Sequence, residues 1–419
     1  NSYTKYSNEI GLTSEGKYLN YNTDVVLDFP HKDSVLEGGM TKEEQGKKEI
    51  YYHNILAKEE IDTLLSPKIL TNIIKHDENG EHKINKFTEK DNLIIKGNNL
   101  LALHTLKEKY NKKIKLIFID PPYYFLNSRA SDSFNYNSNF KLSTWLTFMK
   151  NRLEISRKLM KDDGLIFITI GDDGTAHLKL LCDDIFGIEN FVSMVSWRKT
   201  DNQSNIGNIA NVKDNILIYA KNQDNMKMNK RSLSEKAIKE YSYEDEKGKF
   251  RRRILLDKTR GKYNYDITTE SGNILKGPWM KSKKEFEELD KQGLIYWTSG
   301  GNETPYGKKY LDVDSGQIPS DFWGHEFGTN QRGATEIENL FGKRVFDYPK
   351  PELLLKNIIQ IGSNEGEIVL DFFMGSATTQ AVAHKMNRQY IGIEQMDYIN
   401  TVSVPRLQKV IEGEQGGIS

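Results

Sequence analysis

An apolar run that ends in a carboxylate and two prolines is the feature that most constrains the fold of this chain. It reads Lys115-Leu116-Ile117-Phe118-Ile119-Asp120-Pro121-Pro122-Tyr123. The continuous apolar stretch at 116–119 indicates a strand buried on both faces, which is typical of a parallel sheet. Each proline fixes φ and lacks an N–H, so the strand stops there and the proline carbonyls are expected to turn outward. Asp120 then lies at the carboxyl end of a parallel strand, where open α/β sheets bind their ligands.

Asp120, Pro121, Pro122 and Tyr123 combine groups that suit an amine carried on an aromatic base. A carboxylate and a fixed carbonyl can accept two hydrogen bonds from an exocyclic amine, while the tyrosine ring stacks on the base. Taken alone, the four residues fit an ordinary strand-ending turn equally well, because Asp and Pro favour turns. The rest of the chain has to decide between these two interpretations.

A second constellation follows far downstream and predicts a strand, a tight turn, a helix, a strand and an acid. It reads Glu367-Ile-Val-Leu-Asp371-Phe372-Phe373-Met374-Gly375-Ser376-Ala377-Thr378-Thr379, followed by 389–394, which ends in Glu394. In nucleotide-binding βαβ units, small turn residues let the backbone approach the ligand, and an acid about 20 residues later binds ribose hydroxyls. The three-glycine dinucleotide fingerprint is absent, so a nicotinamide site is disfavoured. The pattern indicates an adenosine-type cofactor, with a plain tight turn as the alternative.

Together the two constellations resemble the amino-methyltransferases of DNA, in which a DPPY motif holds the target base and an FxGxG-like motif binds S-adenosylmethionine. Their order here, catalytic motif first and cofactor motif last, is similar to the β class of that family. Four more stretches resemble the modification subunits of type III restriction–modification systems: 91–104, 143–153, 328–336 and 346–354. The resemblance extends from about Glu59 to Gln408.

The resemblance implies S-adenosylmethionine as the cofactor and assigns roles to residues of this chain. The catalytic residues would be Asp120, Pro121, Pro122 and Tyr123. The cofactor would be held by Asn98, Lys350, Pro351, Asp371, Phe372, Phe373, Gly375, Ser376, Thr378 and Glu394. Lys350 and a helix start would bind the cofactor carboxylate, because helix N-termini present free N–H groups. Pro351 is expected in the first turn of that helix, and a capping role alone is the alternative.

The chain departs from the family pattern at both motifs. Tyr124 and Phe125 follow Tyr123 where relatives often have small polar residues, so we expect a differently shaped groove beyond the base. Phe372 stands where many relatives have proline, and Ala377 replaces the second glycine of the cofactor turn. An alanine adds only a methyl group, so we expect cofactor binding to persist with the Ala377 backbone at negative φ.

The function implied by the resemblance is site-specific transfer of a methyl group from S-adenosylmethionine to adenine N6 in duplex DNA after base flipping. Double-stranded DNA would be the partner, and a homodimer and a separate ATP-dependent restriction subunit follow from the same resemblance. The nearest alternative is cytosine N4, although relatives that act on cytosine more often have Ser in place of Asp120. A catalytically silent DNA-binding subunit is the other alternative. No GxxxxGK[ST] loop for ATP is present in this chain.

Composition sets further bounds. The 59 basic and 59 acidic residues give a formal net charge of zero, so DNA must meet a local basic surface. The candidates are Arg251, Arg252, Arg253 and Arg332, with a solvated surface as the alternative for the first three. The single cysteine, Cys182, is expected on an amphipathic helix, with its side chain in the protein core. No apolar run approaches the roughly 20 residues of a membrane span and no signal peptide opens the chain, which predicts a cytoplasmic protein.

Alternating strands and helices predict an α/β fold. We expect a Rossmann-like S-adenosylmethionine-dependent methyltransferase sheet with helices on both faces, plus an inserted α+β target-recognition domain. The expected parts are a polar, helix-leaning extension at 1–90, a catalytic half at 91–221, the insertion at 222–340 and a cofactor-binding half at 341–419. Asp172 and Asp173 are interpreted as a helix cap rather than a metal pair, and no metal site is expected.

Overall fold

The computed structural model describes residues 35–39, 42–44, 47–52, 58–77, 79–126, 140–203, 208–233, 235–298, 303–312 and 316–419, and the dipeptides 2–3, 13–14 and 17–18. The chain divides into two compact units. The larger unit comprises Asn1–Asn229 and Ser320–Ser419, and the smaller unit comprises Lys230–Pro319.

Eight strands of the larger unit form one mixed sheet within the described residues. They are β1 (Leu93–Lys96), β2 (Ile114–Ile119), β3 (Met160–Ile170), β4 (Phe191–Arg198), β5 (Lys213–Ala220), β6 (Phe322–Trp323), β7 (Ile368–Asp371) and β8 (Gln389–Glu394). The strand order is β6-β4-β5-β3-β2-β7-β8-β1. The five strands from β3 to β1 in that order run parallel, and β5 is antiparallel to β3 and β4. Because the carboxyl ends of parallel strands share one edge, Asp120, Asp371 and Glu394 all lie at that edge.

Helices cover both faces of this sheet. They are α1 (Asn99–Tyr110), α2 (Leu142–Leu159), α3 (Asp172–Phe186), α4 (Asn330–Phe341), α5 (Glu352–Gly362), α6 (Thr378–Lys385) and α7 (Val404–Ile411). Short 3-10 turns occupy Ile188–Asn190 and His325–Phe327, and a π-helical turn at Ile399–Ser403 leads into α7.

Strand β2 shows why this sheet is covered on both sides. All six of its residues are buried. Ile117 and Ile119 pack into a core with α1, α2 and α3, whereas Leu116 and Phe118 pack into a second core with α5, α6 and α7. Alternate side chains of a strand point to opposite faces, so two apolar layers require a strand that is mainly apolar on both faces. The one polar residue of β2, Lys115, is buried and pairs with Asp163 at 3.0 Å. The predicted α/β fold with helices on both faces is confirmed.

The N-terminal region differs from its expected helix-leaning character. Its described elements are mainly short strands: Ser2–Tyr3, Thr13–Ser14, Lys17–Tyr18, Val35–Glu37, Ile50–Tyr52, Ile74–Asp77 and Gly80–Lys83. A 3-10 turn at Lys42–Glu44 and one helix at Lys58–Leu65 complete them. These strands pair into small antiparallel ribbons, which satisfy backbone hydrogen bonds without the apolar stripe that a packed helix needs.

The smaller unit has an antiparallel sheet of four strands among its described residues. Its strand order is Tyr243–Asp245, Gly248–Ile254, Pro305–Tyr310 and Ile295–Trp297. A ribbon of Asp266–Thr268 with Ile274–Lys276 and helices at Glu235–Lys239 and Lys283–Lys291 complete it. Leu255, Trp279, Phe286 and Ile295 form its core.

The expected insertion at 222–340 was too long at both ends. Strand β6 pairs with β4 and Trp323 is fully buried, so the region after Pro319 belongs to the larger unit. The Asn229 side chain donates to the carbonyls of Gln360 and Ser363, which ties the preceding segment to α5.

None of the helices in the described part of the chain combines the length and apolar composition that a membrane span requires.

Candidate active site

A cleft of about 1270 Å³ opens at the carboxyl edge of the parallel strands, within the larger unit. Ligand pockets typically measure roughly 300–1,000 Å³, so this cleft has room for more than one small group. Every residue that the sequence assigned to catalysis or cofactor binding lines it, except Pro351. The two distant constellations therefore meet in one cleft.

The Asp120 carboxylate is fixed at both oxygens. The Thr169 hydroxyl, on the adjacent strand β3, donates to Oδ1 at 2.5 Å. The Lys350 ammonium donates to Oδ2 at 2.5 Å, and this lysine is only 8% exposed. Charge-assisted hydrogen bonds of this length are strong and directional. The carboxylate is therefore held in one orientation at the edge of the cleft.

The two proline carbonyls of the DPPY motif have different surroundings. The buried Trp145 indole N–H donates to the Pro122 carbonyl at 2.8 Å. The expectation that both carbonyls turn outward is therefore wrong for Pro122. The physical reason is that a fully buried indole N–H needs an acceptor, and the turn supplies one. Pro121 remains the predicted carbonyl acceptor for a ligand amine.

Tyr123 is anchored through its hydroxyl. The hydroxyl donates to Asp214 Oδ2 at 3.2 Å, and Lys199 donates to the other oxygen of Asp214 at 2.8 Å. Burial, together with the charges of Asp214 and Asp120, raises the pKa of Tyr123 well above its ordinary value, so the phenol stays protonated. A Cβ at Gly171 would lie 3.3 Å from the Tyr123 ring, which shows how closely the backbone approaches it.

The two aromatic residues after the motif have separate positions. The Tyr124 ring packs on Trp145 with a centroid distance of 5.8 Å and meets His177 edge-on. Phe125 lines the cleft, and its ring centroid lies 6.3 Å from that of Tyr123. Both side chains add apolar surface where relatives often have small polar residues. Tyr124 also lines the cleft, so both residues shape it beyond Tyr123.

Glu394, at the end of β8, is held by three backbone amides. Oε2 accepts from the Gly375 N–H at 2.9 Å, and Oε1 accepts from the N–H groups of Gln395 at 2.8 Å and Met396 at 3.0 Å. These bonds join the acid to the turn between β7 and α6. The predicted strand, turn, helix, strand and acid are all present, with the acid at the cleft.

Asp371 stabilises the turn that follows it. Its carboxylate accepts from the Phe373 N–H at 2.9 Å and from the Thr379 hydroxyl at 2.6 Å. Burial raises the pKa of Asp371 to about 7, despite these two bonds, and the charges of Asp120 and Glu394 act in the same direction. The group thus titrates near neutral pH while lining the cleft.

Other residues assigned to the cofactor have structural partners. The Asn98 side chain caps α1 by accepting from the Leu100 N–H at 3.0 Å. Phe372 is fully buried in the core, and its carbonyl accepts from the Asn99 amide at 2.8 Å. Phe373 lies against Phe148 with a centroid distance of 5.9 Å. These contacts fix the floor of the cleft.

The Ala377 backbone is left-handed, with φ +62° and ψ 29°, so the expected negative φ is wrong. The tight reversal from the turn into α6 imposes this conformation. The Ala377 N–H donates to the Met374 carbonyl at 2.9 Å and its methyl group is fully buried. A left-handed alanine costs roughly 1–2 kcal/mol, and burial and hydrogen bonding offset that cost.

Pro351 lies one position earlier in its helix than expected. It is the N-cap residue of α5, which begins at Glu352, rather than a residue of the first turn. It is buried and does not line the cleft. A Cβ on Gly328 would come within 2.8 Å of the proline ring, so Pro351 packs against the segment that precedes α4.

Asp172 and Asp173 lie at the start of α3, where the sequence predicts a helix cap rather than a metal pair. Gly171 is the N-cap, and Asp172 and Asp173 occupy the first helical turn, so the cap assignment was displaced by one residue. Acids in the first turn still favour the helix dipole. Asp172 pairs with Lys213 at 2.5 Å. Across the described residues, no group of three His, Cys, Asp or Glu side chains is arranged to hold a metal ion.

The four arginines proposed for DNA belong to different units. Arg332 lies in α4 of the larger unit, where Nη1 donates to the His325 carbonyl at 3.2 Å and Nε is 3.7 Å from Asp201. Arg251, Arg252 and Arg253 lie on one strand of the smaller unit.

Cys182 is fully buried in α3 as expected, and burial raises the pKa of its thiol.

Sequence reasoning missed several residues that support the site. Thr169 had a signal, because it is the one polar residue in the apolar run 165–170. Asp214 and Arg406 had none. Arg406 is 2% exposed and donates to Thr378 Oγ1 at 2.7 Å and to the Ser376 carbonyl at 3.2 Å. It also donates to Glu352 at 2.9 Å, so it links the cofactor turn to α5.

Comparison with known proteins identifies the family. A sequence profile of the N6/N4 DNA methylases matches residues 114–404, which includes both constellations and the inserted unit. The chain belongs to this family of DNA methylases. Its methyl donor is S-adenosylmethionine, the cofactor on which the family depends.

The DNA methylase is similar to modification subunits of type III systems. It is 33% identical to the probable type III restriction-modification enzyme HindVI Mod subunit of Haemophilus influenzae, over 100% of this chain and 72% of that protein. It is 33% identical to the StyLTI Mod subunit of Salmonella typhimurium, over 71% of this chain and 50% of that protein. Among solved structures, it is similar to the cytosine-N4-specific PvuII DNA methyltransferase, with 13% identity and a TM-score of 0.44 over 77% and 93% of the two chains.

The cleft of this DNA methylase fits its cofactor. Gly375 has φ +53°, and a Cβ there would lie 3.4 Å from the Phe346 ring, so glycine keeps the gap between the turn and this ring open. Phe346 meets Tyr398 edge-on at 5.2 Å, and both rings line the cleft. Apolar walls beside an anchored carboxylate are the surroundings that a nucleoside needs.

Proposed function

We propose that this chain transfers a methyl group from S-adenosylmethionine to N6 of adenine within a specific sequence of double-stranded DNA. The observation that carries the proposal is the Asp120 carboxylate, fixed by Thr169 and Lys350 beside the Tyr123 ring in the cofactor cleft. Such a carboxylate accepts from an amine while the ring contacts the base that carries it.

The residues that would hold the cofactor surround the turn after β7. Glu394 would accept hydrogen bonds from the ribose hydroxyls, and Phe346 and Tyr398 would contact the adenine ring. Lys350 would donate to the carboxylate of the methionine part, because an ammonium has three N–H donors and Asp120 uses one. When bound, S-adenosylmethionine supplies an electrophilic methyl group on a sulfonium.

Asp120 and the Pro121 carbonyl would prepare the target amine. The lone pair of adenine N6 is delocalised into the ring, so the free amine is a poor nucleophile. Hydrogen bonds from the two N–H groups to Asp120 and Pro121 would localise that lone pair and orient it. The rate acceleration then comes mainly from orientation and fixed electrostatics rather than from early proton removal.

Tyr123 would stabilise the flipped base. The N6 amine of a paired adenine cannot reach a cleft at the edge of a sheet, so the base must leave the duplex at a cost of a few kcal/mol. Stacking on an aromatic side chain is worth roughly 1–3 kcal/mol per base and offsets much of this cost. The hydrogen bond from Tyr123 to Asp214 holds the ring in place beforehand.

The biological setting proposed here follows the named relatives. We place the chain as the modification part of a type III restriction–modification system, acting in the cytoplasm as a homodimer with a separate ATP-dependent restriction subunit. The smaller unit, Lys230–Pro319, is proposed as the target-recognition domain because it interrupts the methylase sequence with its own sheet and core.

The test is identification of the methylated nucleoside. Purified protein is incubated with plasmid DNA and S-adenosylmethionine carrying an isotopic methyl group, and the digested DNA is analysed by mass spectrometry. We expect labelled N6-methyldeoxyadenosine. Labelled N4-methyldeoxycytidine would overturn the choice of base, and folded protein that binds the cofactor without labelling DNA would support the catalytically silent alternative.

A further inference from the structure

The basic run of the smaller unit is divided between two faces of its sheet. Arg251, Arg252 and Arg253 are consecutive residues of the strand Gly248–Ile254. Successive side chains of a strand point to opposite faces, so Arg252 lies on one face and its two neighbours lie on the other. The three arginines therefore cannot act as one patch.

The face of Arg251 and Arg253 carries part of the core of the smaller unit. Arg253 pairs with Gly307, which pairs with Ile295 on the neighbouring strand. Ile295 belongs to the core with Trp279 and Phe286. Arg251 forms an ion pair with Glu240. Ile295 therefore places part of the unit's core on this face, while the Arg253 side chain beside it is exposed.

The opposite face presents Arg252 among tyrosine rings. The guanidinium carbon lies 4.6 Å from the ring centroid of Tyr243, 4.7 Å from that of Tyr306 and 5.8 Å from that of Tyr296. Arg252 is exposed, and no carboxylate of the described residues forms an ion pair with it. Lys308, opposite Arg252 in the ladder, adds a second positive charge, which Asp245 pairs at 2.7 Å.

This arrangement orders a cation without neutralising it. Fixing a free arginine side chain costs conformational entropy, and contacts with the three rings offset that cost before any partner binds. The guanidinium keeps donors that match the paired acceptors of guanine O6 and N7 or of a phosphate. Arginines that are merely solvated have no such set of rings around them.

We infer that the tyrosine–arginine face, formed by Tyr243, Arg252, Tyr296, Tyr306 and Lys308, binds the double-stranded target DNA through Arg252. The inference rests on the proposed function, because it assigns part of the substrate to a surface of the proposed target-recognition domain. Positive charge complements the DNA backbone, and partly exposed tyrosines suit a flat contact with its edges. The contacted group is guanine or phosphate, which share the same acceptor chemistry.

The experiment compares Arg252→Ala with Arg260→Ala in the full-length chain. Arg260 belongs to the same unit, is largely exposed and pairs with Asp257, so its replacement makes the same change of charge away from the tyrosine–arginine face. Arg253→Ala tests the assignment of faces. Dissociation constants are measured by fluorescence anisotropy on two unmodified duplexes at several salt concentrations. One duplex contains the sequence motif that the wild-type chain methylates, and the other contains that motif scrambled.

We expect Arg252→Ala to weaken binding of the motif duplex roughly 10- to 100-fold, and each of the other two variants to change it less than about 3-fold. A loss confined to the motif duplex identifies a guanine contact. An equal loss on both duplexes identifies a backbone contact. In that case the slope of log affinity against log salt concentration should also become shallower by about 1, the value for one phosphate contact.

Wild-type affinity in Arg252→Ala, or an equal loss in Arg253→Ala, would overturn the inference. Methyl transfer by the wild-type protein is measured in the same preparations. If DNA binding depends on Arg252 but the wild-type protein transfers no methyl group, the proposed function is contradicted and the assignment of the DNA-binding surface stands. If the wild-type protein transfers methyl groups normally and Arg252→Ala binds DNA with unchanged affinity, only the assignment of the surface is contradicted.

Discussion

The ammonium of Lys350 lies 2.5 Å from Oδ2 of Asp120, although the two residues are 230 positions apart in the sequence. Asp120 directly follows β2 and Lys350 directly precedes the N-cap of α5. One ion pair therefore joins the catalytic turn to the cofactor-binding half of the fold. Lys350 also lies 5.7 Å from the ring centroid of Tyr123, so it contributes positive charge to the whole base site.

Lys350→Met is expected to impair both catalysis and cofactor binding. The variant keeps most of the length of the side chain but removes the donor to Asp120. For comparison, removing one oxyanion-hole donor typically costs about 10²–10³-fold in rate. We expect kcat to fall at least about 10-fold and the dissociation constant of S-adenosylmethionine to rise. Methyl-transfer kinetics and calorimetry measure the two effects. Lys356→Met, on the exposed side of the same helix, is the control. Unchanged kcat in Lys350→Met would refute a role through Asp120.

Tyr123 variants separate the ring from the hydroxyl. Tyr123→Phe keeps the stacking surface and loses only the hydrogen bond to Asp214, so we expect base flipping to weaken less than about 10-fold. Tyr123→Ala removes the ring, and roughly 1–3 kcal/mol of stacking corresponds to about 5- to 150-fold. Fluorescence of 2-aminopurine at the target position reports the flipped state. Equal signals from the two variants would show that the ring does not hold the base.

Asp371 predicts a dependence of stability on pH. Its pKa in the folded protein is about 7, above the ordinary 3.8, because the carboxyl is buried. The folded protein therefore binds this proton more tightly than the unfolded chain. The contribution of Asp371 to the free energy of unfolding is full below about pH 4, falls as pH rises to about 7 and is constant above that.

The measurement is urea unfolding of wild type and Asp371→Asn between pH 5 and 8. The amide cannot titrate, so the wild-type free energy of unfolding minus that of the variant should decrease across this range. Burial also raises the pKa of Glu336 to about 7, but Glu336 is present in both proteins and cancels in the difference. A difference that stays constant with pH would contradict the raised pKa.

Ala377 offers a test of the left-handed turn. Ala377→Gly removes the backbone strain of roughly 1–2 kcal/mol and also a buried methyl group worth about 0.8 kcal/mol, so we expect stability within about 1 kcal/mol of wild type. Ala377→Val places a β-branched residue at φ +62° in a packed site and should cost more than about 2 kcal/mol. Urea unfolding gives both values. A valine variant as stable as the glycine variant would rule out a left-handed backbone at this position.

The sequence could predict the elements of the larger unit because their patterns are local. The run at 116–119 is apolar at every position and lies within strand β2, Ile114–Ile119. The cofactor turn followed from small residues at fixed spacing. These signals depend on burial and backbone geometry, which neighbouring residues largely determine.

The remaining parts of the site depend on contacts between distant segments. Nothing near Lys350 indicates that its ammonium meets Asp120, and nothing near Arg406 indicates that it supports the turn at Ser376 and Thr378. Ala377 was assigned a negative φ from its residue type, but the reversal into α6 overrides that preference. The short strands of the N-terminal region likewise form through pairing with partners that local pattern does not reveal.

Single-molecule sequencing of DNA from a methylation-free host tests the central claim most directly. One culture expresses the wild-type chain and a second expresses Asp120→Ala at a matched soluble level. We predict N6-methyladenine at one asymmetric motif, on one strand only, in the first culture and unmodified DNA in the second, because the variant lacks the acceptor for the target amine. N6-methyladenine that persists with Asp120→Ala would contradict the account.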